Sequence, residues 1–240
     1  ESGVRAVISE YVPGESLRSL IKSKGKLEPL LALGIVETLA SGLQFAASRG
    51  YVHGHLRPSN ILMTQEGQIK LADLGLKGRI TDEILAITHS GQLAPFYVSP
   101  EQVLSGTVNV PTDIYALGAC CYHFLCGRPP FEGQSPYEVL LRLAEGDYPP
   151  IPLYNPSVSP GLSRIVEKMM SPEPDARYQD YESLLGEIGA VRAEQEHLRL
   201  ASSSPGKPVR FTVPVSLPNS SRRYYGLIFL VGSLLLGLAG

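Results

Sequence analysis

One short stretch of the sequence concentrates side chains that can carry out chemistry. It reads His53-Gly54-His55-Leu56-Arg57-Pro58-Ser59-Asn60, and Asp73 follows it after a small hairpin. Histidine titrates near neutral pH, so an imidazole here could accept a proton. The amide oxygen of Asn60 and the carboxylate of Asp73 are hard ligands of the kind that Mg²⁺ prefers. A metal site made from His53 and His55 is the weaker alternative, because no further ligand cluster accompanies them.

The elements ahead of this stretch are predicted from turn signals and periodicity. Residues 4–12 are rich in β-branched side chains and end at a Pro-Gly turn, which indicates a strand. A short helix follows, with Ser16 as its N-cap and Gly25 beyond its end. Residues 28–49 show a helical period, and Gly50 suits a left-handed C-terminal cap. The apolar face of this helix is expected at Leu31, Ile35, Leu39 and Leu43.

After the stretch, a hairpin is predicted and then helices to about Leu200. The hairpin strands are residues 61–63 and 69–71. The apolar run 114–125 is the most hydrophobic of this part and predicts a buried central helix. Two of the three cysteines lie within this run and the third follows it directly. Their spacing fits neither a disulfide framework nor a metal site. We therefore expect buried, reduced thiols at Cys120, Cys121 and Cys126.

The bulk composition fits a folded domain and not a nucleic-acid binder. The chain has 240 residues, of which 43% are hydrophobic and 18% charged, and its net charge is −2. Nucleic-acid-binding domains usually carry a basic surplus, so no nucleic-acid partner is expected. The first residue is a glutamate and no signal peptide follows, so we expect the chain to begin inside a longer protein.

The C-terminal part predicts a linker and a membrane helix. Serine and proline become frequent from Ala201, and we assign residues 197–223 to a juxtamembrane linker and 1–196 to the folded domain. Residues 224–240 are uncharged and apolar or glycine, close to the roughly 20 residues that span a bilayer. The alternative is a buried core helix, which the preceding linker and the missing polar face argue against.

The flanking residues give this span an orientation. Arg222-Arg223 precede it and should lie on the cytoplasmic side, with Tyr224-Tyr225 at the interface, so the folded domain is expected in the cytoplasm. Ser233 and Gly237 are four residues apart and would permit close approach of two such helices. A homodimer through them is one expectation, and lipid-facing small residues are the other.

Several motifs in fixed order resemble those of the Hanks-type serine/threonine protein kinases, most closely the bacterial membrane-anchored kind. The resemblance covers roughly residues 5–190. It rests on the hinge-like Ser9-Glu10-Tyr11-Val12, the stretch 53–60, Ala72-Asp73-Leu74-Gly75, Ser99-Pro100-Glu101, Asp113-Ile114-Tyr115-Ala116-Leu117-Gly118, Gly127-Arg128-Pro129-Pro130-Phe131 and Arg177. It implies an α+β protein-kinase fold, here mainly the α-helical C-terminal lobe with most of the N-terminal lobe missing.

The resemblance also implies binding roles. The backbone of Glu10 and Val12 would bind the adenine edge of ATP, and Leu62 would form the floor beneath it. Asn60 and Asp73 would hold Mg²⁺.

Other residues would have catalytic or structural roles. Arg57 replaces the usual lysine near the transferred phosphate, keeping the charge but not its shape. His53 would pack against the Asp73 segment, Asp113 would begin the central helix, and Arg177 would pair with Glu101.

The catalytic positions depart from the family. His55 occupies the place of the catalytic aspartate, and Gly54 the place of an arginine that often holds an activation-segment phosphate. A phosphorylation switch at Thr81, Thr88 or Ser90 is therefore not supported. Counting back from Glu101, the family's Gly-Thr pair falls on Leu93-Ala94, so the threonine that braces the aspartate is missing.

Two functions stay open. The first is an interaction module, a pseudokinase that binds ATP and Mg²⁺ in the full-length protein and engages protein partners. The second is an active serine/threonine kinase in which His55 serves as an atypical base. From this chain by itself, without the upstream glycine-rich loop and strand lysine, we expect no phosphoryl transfer.

Overall fold

The computed structural model describes residues 9–74 and 96–202. Helices make up most of these residues, with one small sheet near the beginning. Two single 3₁₀ turns, Pro58–Asn60 and Pro174–Ala176, lie between the regular elements. In chain order the strands and helices are β1 (Gly14–Ser16), α1 (Leu17–Lys24), α2 (Pro29–Ala47), β2 (Ile61–Thr64), β3 (Ile69–Leu71), α3 (Pro100–Ser105), α4 (Val110–Cys126), α5 (Pro136–Glu145), α6 (Ile151–Tyr154), α7 (Pro160–Met169) and α8 (Tyr181–Ser202).

The sheet is antiparallel with the order β1-β2-β3. The predicted hairpin of β2 and β3 is confirmed, and its turn closes where the N–H of Gln68 donates to Thr64 Oγ1 at 3.2 Å. The predicted strand over residues 4–12 is only partly testable, because residues 4–8 lie outside the described ranges. Its remainder, residues 9–12, has no regular secondary structure, and pairing begins only at Gly14.

The first two helices begin and end close to the predicted places. Ser16 caps α1 by accepting the Ser19 N–H at 3.2 Å, and Gly25 follows α1 with φ 80°. Gly50 adopts the predicted left-handed conformation with φ 75°, but it lies beyond the cap of α2, which is Ser48. The expectation of an apolar face that includes Leu31 is wrong, since this side chain is 37% exposed. Its three predicted companions are buried, because α4 and α8 cover that side of α2.

The predicted central helix is α4, and it is buried along most of its length. Gly118 allows α7 to approach closely, since a Cβ at this position would lie 2.7 Å from Met169 Cβ. Cys120 and Cys121 are buried as expected, whereas Cys126 is partly exposed at the end of the helix. All three are free thiols. Burial raises the pKa of Cys120 and Cys121 strongly and that of Cys126 to about 11.

Among the described residues, α2 is the one helix with the length and apolarity to cross a membrane. Its mean hydropathy is 1.6 over 19 residues, and half of that window is buried inside the fold. Because α2 packs against both α4 and α8, it is a core helix.

The last helix, α8, continues to Ser202 and so past the predicted linker start at residue 197. The rest of that linker and the predicted membrane helix, residues 224–240, lie outside the described residues.

A buried ion pair ties α3 to the segment ahead of α8. The guanidinium of Arg177 donates to both carboxylate oxygens of Glu101, at 2.7 and 2.8 Å. It also donates to the backbone carbonyls of Ser171, Pro172 and Pro111. Arg177 is fully buried, and its donors are taken up by this carboxylate and these carbonyls. The contact between Glu101 and Arg177 expected from the sequence is therefore present.

We expect Arg177→Ala to lower the free energy of unfolding by about 3–5 kcal/mol, because it strands a largely buried carboxylate and several carbonyls. Urea denaturation followed by circular dichroism measures this change. The matched control is Arg142→Ala, since Arg142 makes a 2.9 Å pair with Glu138 on the exposed surface of α5. This control should leave the midpoint nearly unchanged, and equal losses for both variants would contradict the anchoring role of Arg177.

Candidate active site

The loop 53–60 is held by one carboxylate of the central helix. Asp113 accepts the backbone N–H of His53 on Oδ2 and that of Gly54 on Oδ1, both at 2.7 Å. The phenol of Tyr181 also hydrogen-bonds this carboxylate. Burial raises the pKa of Asp113 to about 7, against the opposing effect of these hydrogen bonds. Gly54 has φ 70°, a conformation that costs a residue with a Cβ about 1–2 kcal/mol.

His53 connects this loop to the strand that leads to Asp73. Its Nε2–H donates to the carbonyl of Ala72 at 3.1 Å, and its Nδ1 accepts the N–H of His55 at 3.2 Å. Both ring nitrogens therefore have partners, and the pair of contacts selects the neutral Nε2–H tautomer. Burial, and then the neighbouring His55, lowers the pKa of His53 to about 4. His53 packs against the segment of Asp73, where the sequence resemblance places it.

His55 and Arg57 contact each other in the loop. Arg57 Nη1 lies 3.3 Å from His55 Nε2. A guanidinium has no acceptor, so in this contact Arg57 donates and the imidazole nitrogen accepts. The Nε2 lone pair, which a base would use, is therefore engaged by a cation. A proton could be taken up at Nε2 only if this contact were broken.

Asn60 and Asp73 lie on adjacent ends of the loop and β3. The backbone carbonyl of Asn60 accepts the N–H of Ala72 at 2.8 Å, which brings the residue before Asp73 against Asn60. The Asn60 side chain donates from Nδ2 to the carbonyl of His55 at 3.0 Å and accepts from Ser59 at Oδ1. Asp73 has φ 62°, a left-handed conformation that is unusual for a residue other than glycine and is often found at functional sites.

The donor chemistry of these two residues fits magnesium. Within the described ranges there is no group of three or more His, Cys, Asp or Glu side chains that could hold a metal ion. Magnesium bound with a nucleotide does not need such a group, since it typically takes one or two protein oxygen ligands and completes its shell with phosphates and water. One amide oxygen and one carboxylate are therefore a suitable set.

The residues predicted to contact adenine lie around the small sheet. Leu62 in β2 is half-buried and stands opposite Ser16 in β1 and Lys70 in β3. Glu10 is exposed in the segment that precedes β1, and Val12 is half-buried there. Residues 9–12 thus directly precede the strand that pairs with the strand of Leu62.

Sequence reasoning missed several residues that support the loop. Gln102 donates from Nε2 to the carbonyl of Gly54 at 3.0 Å, and its Oε1 accepts the N–H of Ser99. The Ser-x-x-Gln spacing of a capping box could have singled out Gln102, although not its link to Gly54. Tyr181, which hydrogen-bonds Asp113, carried no signal in the sequence. The predicted departures at Leu93-Ala94 and the hydroxyls at Thr81, Thr88 and Ser90 lie outside the described residues.

Comparison with known proteins gives a family and several relatives. The model of the family "protein kinase domain" matches residues 1–186. Serine/threonine-protein kinase PrkC of Bacillus subtilis is 32% identical over 78% of this chain and 29% of its own length. PknB of Mycolicibacterium smegmatis is 30% identical over 79% of this chain and 31% of its own length. PknA of Mycobacterium tuberculosis is 30% identical over 90% and 48%. The chain spans about a third to a half of the length of these curated relatives.

The buried neutral imidazole of His53 predicts a pH-dependent stability. The unfolded chain takes up a proton at this residue near pH 6.5, whereas the folded chain does so only near pH 4. The free energy of unfolding contributed by His53 is therefore complete above pH 6.5 and is lost as the pH falls toward 4. Relative to His53→Gln, the unmodified protein should lose about 2 kcal/mol between pH 7.5 and pH 5.

Urea unfolding of both proteins at the two pH values measures this difference. The shift of Asp113 acts with the opposite sign in the same interval, and it cancels because both proteins contain Asp113. A difference that does not change with pH would show that His53 is not buried in its neutral form.

Proposed function

Because this chain belongs to the protein kinase domain family, we propose that it is the kinase-like domain of a membrane-anchored serine/threonine kinase family member that binds ATP with Mg²⁺ and engages a protein partner, while its own phosphoryl transfer is impaired. The observation that carries the proposal is the contact between Arg57 and His55 at the position of the catalytic base. The binding parts of the site keep suitable residues, and the catalytic part does not.

Nucleotide binding is supported by residues at both ends of the site. The half-buried side chain of Leu62 offers an apolar surface to a base, and the backbone of Glu10 and Val12 belongs to no helix or strand, so its N–H and C=O groups could bind the edge of that base. Asn60 and Asp73 would hold Mg²⁺, which when bound would neutralise charge on the phosphates. The strained backbone of Asp73 supports a use for its side chain, since such conformations persist where the surrounding structure holds them in place.

Impaired transfer follows from the chemistry of the base position. The attacking hydroxyl must be aligned and must give up its proton, and a positioned base contributes typically 10²–10⁴ in rate. His55 Nε2 accepts a hydrogen bond from Arg57, so it is not open to a substrate hydroxyl in this arrangement. If Nε2 took up the proton, two cations would face each other where the substrate must approach.

An active kinase with a histidine base is the second candidate. It is favoured by the intact anchoring of the loop, since Asp113 holds the two residues before His55 and Asn60 holds the carbonyl of His55 itself. A loop fixed in this way keeps His55 in one place, which a working base requires. The alternative therefore needs only the Arg57 contact to open when substrate binds.

A phosphate-transfer assay on the full-length protein separates the two candidates. We expect transfer to be absent or very slow in the unmodified protein, with Mg-ATP binding retained. His55→Asp combined with Ala94→Thr should raise the rate by roughly 10² or more, because it restores a carboxylate base and the residue that braces it in the family.

The control for this assay is His55→Ala. Transfer at the typical kinase rate of about 1–100 per second in the unmodified protein, abolished by His55→Ala, would establish histidine as the base and refute the pseudokinase proposal. Nucleotide binding without transfer in all three proteins would place the defect elsewhere in the site.

The membrane part of the proposal rests on the sequence. Arg222-Arg223 followed by the uncharged residues 224–240 support a single span with the kinase-like domain in the cytoplasm. A single cysteine introduced at Ser220 in the full-length protein should be inaccessible to a membrane-impermeant maleimide in intact cells and should react after permeabilisation. Labelling of that cysteine in intact cells would reverse the proposed orientation.

A further inference from the structure

The hinge segment is tied to the sheet by an ion pair that the proposed function does not yet use. Lys70 Nζ lies 2.6 Å from Glu10 Oε1, between residues far apart in the chain. The side chain of Lys70 is only 12% exposed and that of Glu10 36% exposed. A lysine that is largely withdrawn from water needs a compensating charge, and Glu10 supplies it.

Few other contacts within the described part of the chain hold the hinge segment, residues 9–13. Residues 9–12 belong to no helix or strand, and the side chain of Tyr11 is 85% exposed. Within the described ranges, the hydrogen bond that joins residues 9–13 to the rest of the protein is the one between Glu10 and Lys70. The ladder of β1 begins only at Gly14, so it cannot fix the backbone of the residues before it.

Lys70 also stands at a fixed place relative to the proposed adenine floor. It is the direct cross-strand partner of Leu62 in the β2–β3 ladder. Directly opposed residues of two paired strands point to the same face of the sheet, so Lys70 and Leu62 are neighbours on one face, and the ion pair brings the carboxylate of Glu10 to Lys70 there. The backbone groups of Glu10 and Val12 and the side chain of Leu62 are the parts that would meet an adenine ring.

We propose that Lys70 is a positioning residue for nucleotide recognition: its ammonium holds Glu10 so that the hinge backbone faces an adenine ring lying on Leu62. Lys70 itself touches the hinge and not the ligand. This inference rests on the proposed nucleotide binding. It makes the recognition of adenine by the hinge backbone depend on the contact between the hinge and β3.

The test separates adenine recognition from phosphate recognition in the full-length protein. Affinities for adenosine, Mg-ATP and Mg-tripolyphosphate are measured by calorimetry for the unmodified protein and Lys70→Met. We expect adenosine and Mg-ATP to bind roughly tenfold more weakly to Lys70→Met, the size expected when one charge-assisted hydrogen bond is lost. Mg-tripolyphosphate has no adenine and should bind both proteins equally.

Two further variants make the result specific. Exchange of the charges in Lys70→Glu with Glu10→Lys should recover most of the adenosine affinity, since it restores the pair in reverse. Lys168→Met removes a similar pair, with Lys168 Nζ 2.7 Å from Glu187 Oε1 on the exposed surface. This control should change none of the three affinities.

Hydrogen–deuterium exchange without ligand gives an independent readout of the hinge. Exchange in residues 9–12 should accelerate in Lys70→Met and not in Lys168→Met. Unchanged adenosine affinity or unchanged exchange in Lys70→Met would overturn the positioning role while leaving nucleotide binding intact. Equal loss of Mg-tripolyphosphate binding would also overturn it, because the effect would then extend beyond adenine. Failure of the unmodified protein to bind adenosine and Mg-ATP would instead refute the proposed function, and this inference with it.

Discussion

A single carboxylate inside the central helix determines where the loop of the candidate site lies. Asp113 accepts two adjacent backbone amides at 2.7 Å, and leaving those N–H groups buried and unpaired would cost about 1–3 kcal/mol each. With the amides fixed, His53 can reach the carbonyl of Ala72, which sets the approach of β3. The backbone hydrogen bond from the N–H of Ala72 to the carbonyl of Asn60 then joins the end of the loop to the residue that follows β3. These contacts therefore connect the buried Asp113 of the central helix, through His53, to Asn60 and the segment that leads to Asp73.

The loop is also held by residues of α3. The contacts that hold the loop are therefore made by side chains other than that of His55. Gln102 donates to the carbonyl of Gly54, while the next residue back, Glu101, is clamped by Arg177. None of these contacts involves the imidazole of His55. A change of the His55 side chain would therefore leave these contacts in place, because they hold the loop at other residues.

The sequence predicted those parts of the structure that local patterns control. The cap at Ser16, the hairpin β2–β3 and the buried run of α4 all follow from turn chemistry or periodicity within a few residues. The ordered motifs also placed Glu101 against Arg177. Features set by tertiary packing could not be predicted from the sequence. The strand β1 is too short to show a period, and the exposure of Leu31 depends on which side of α2 its neighbours cover. The link from Gln102 to Gly54 and the Arg57 contact at His55 depend on loop geometry that spacing does not encode.

The cysteines of the central helix have a consequence for the redox chemistry of the folded protein. Oxidants and alkylating reagents attack the thiolate, and at pH 7 a thiol with a pKa of about 11 supplies roughly one thiolate in ten thousand. Cys120 and Cys121 supply still less and are shielded from solvent. The three thiols of the folded protein should consequently react only slowly with oxidants. Once α4 leaves the core the thiols regain their ordinary reactivity, so the rate of their modification reports how often this helix is exposed.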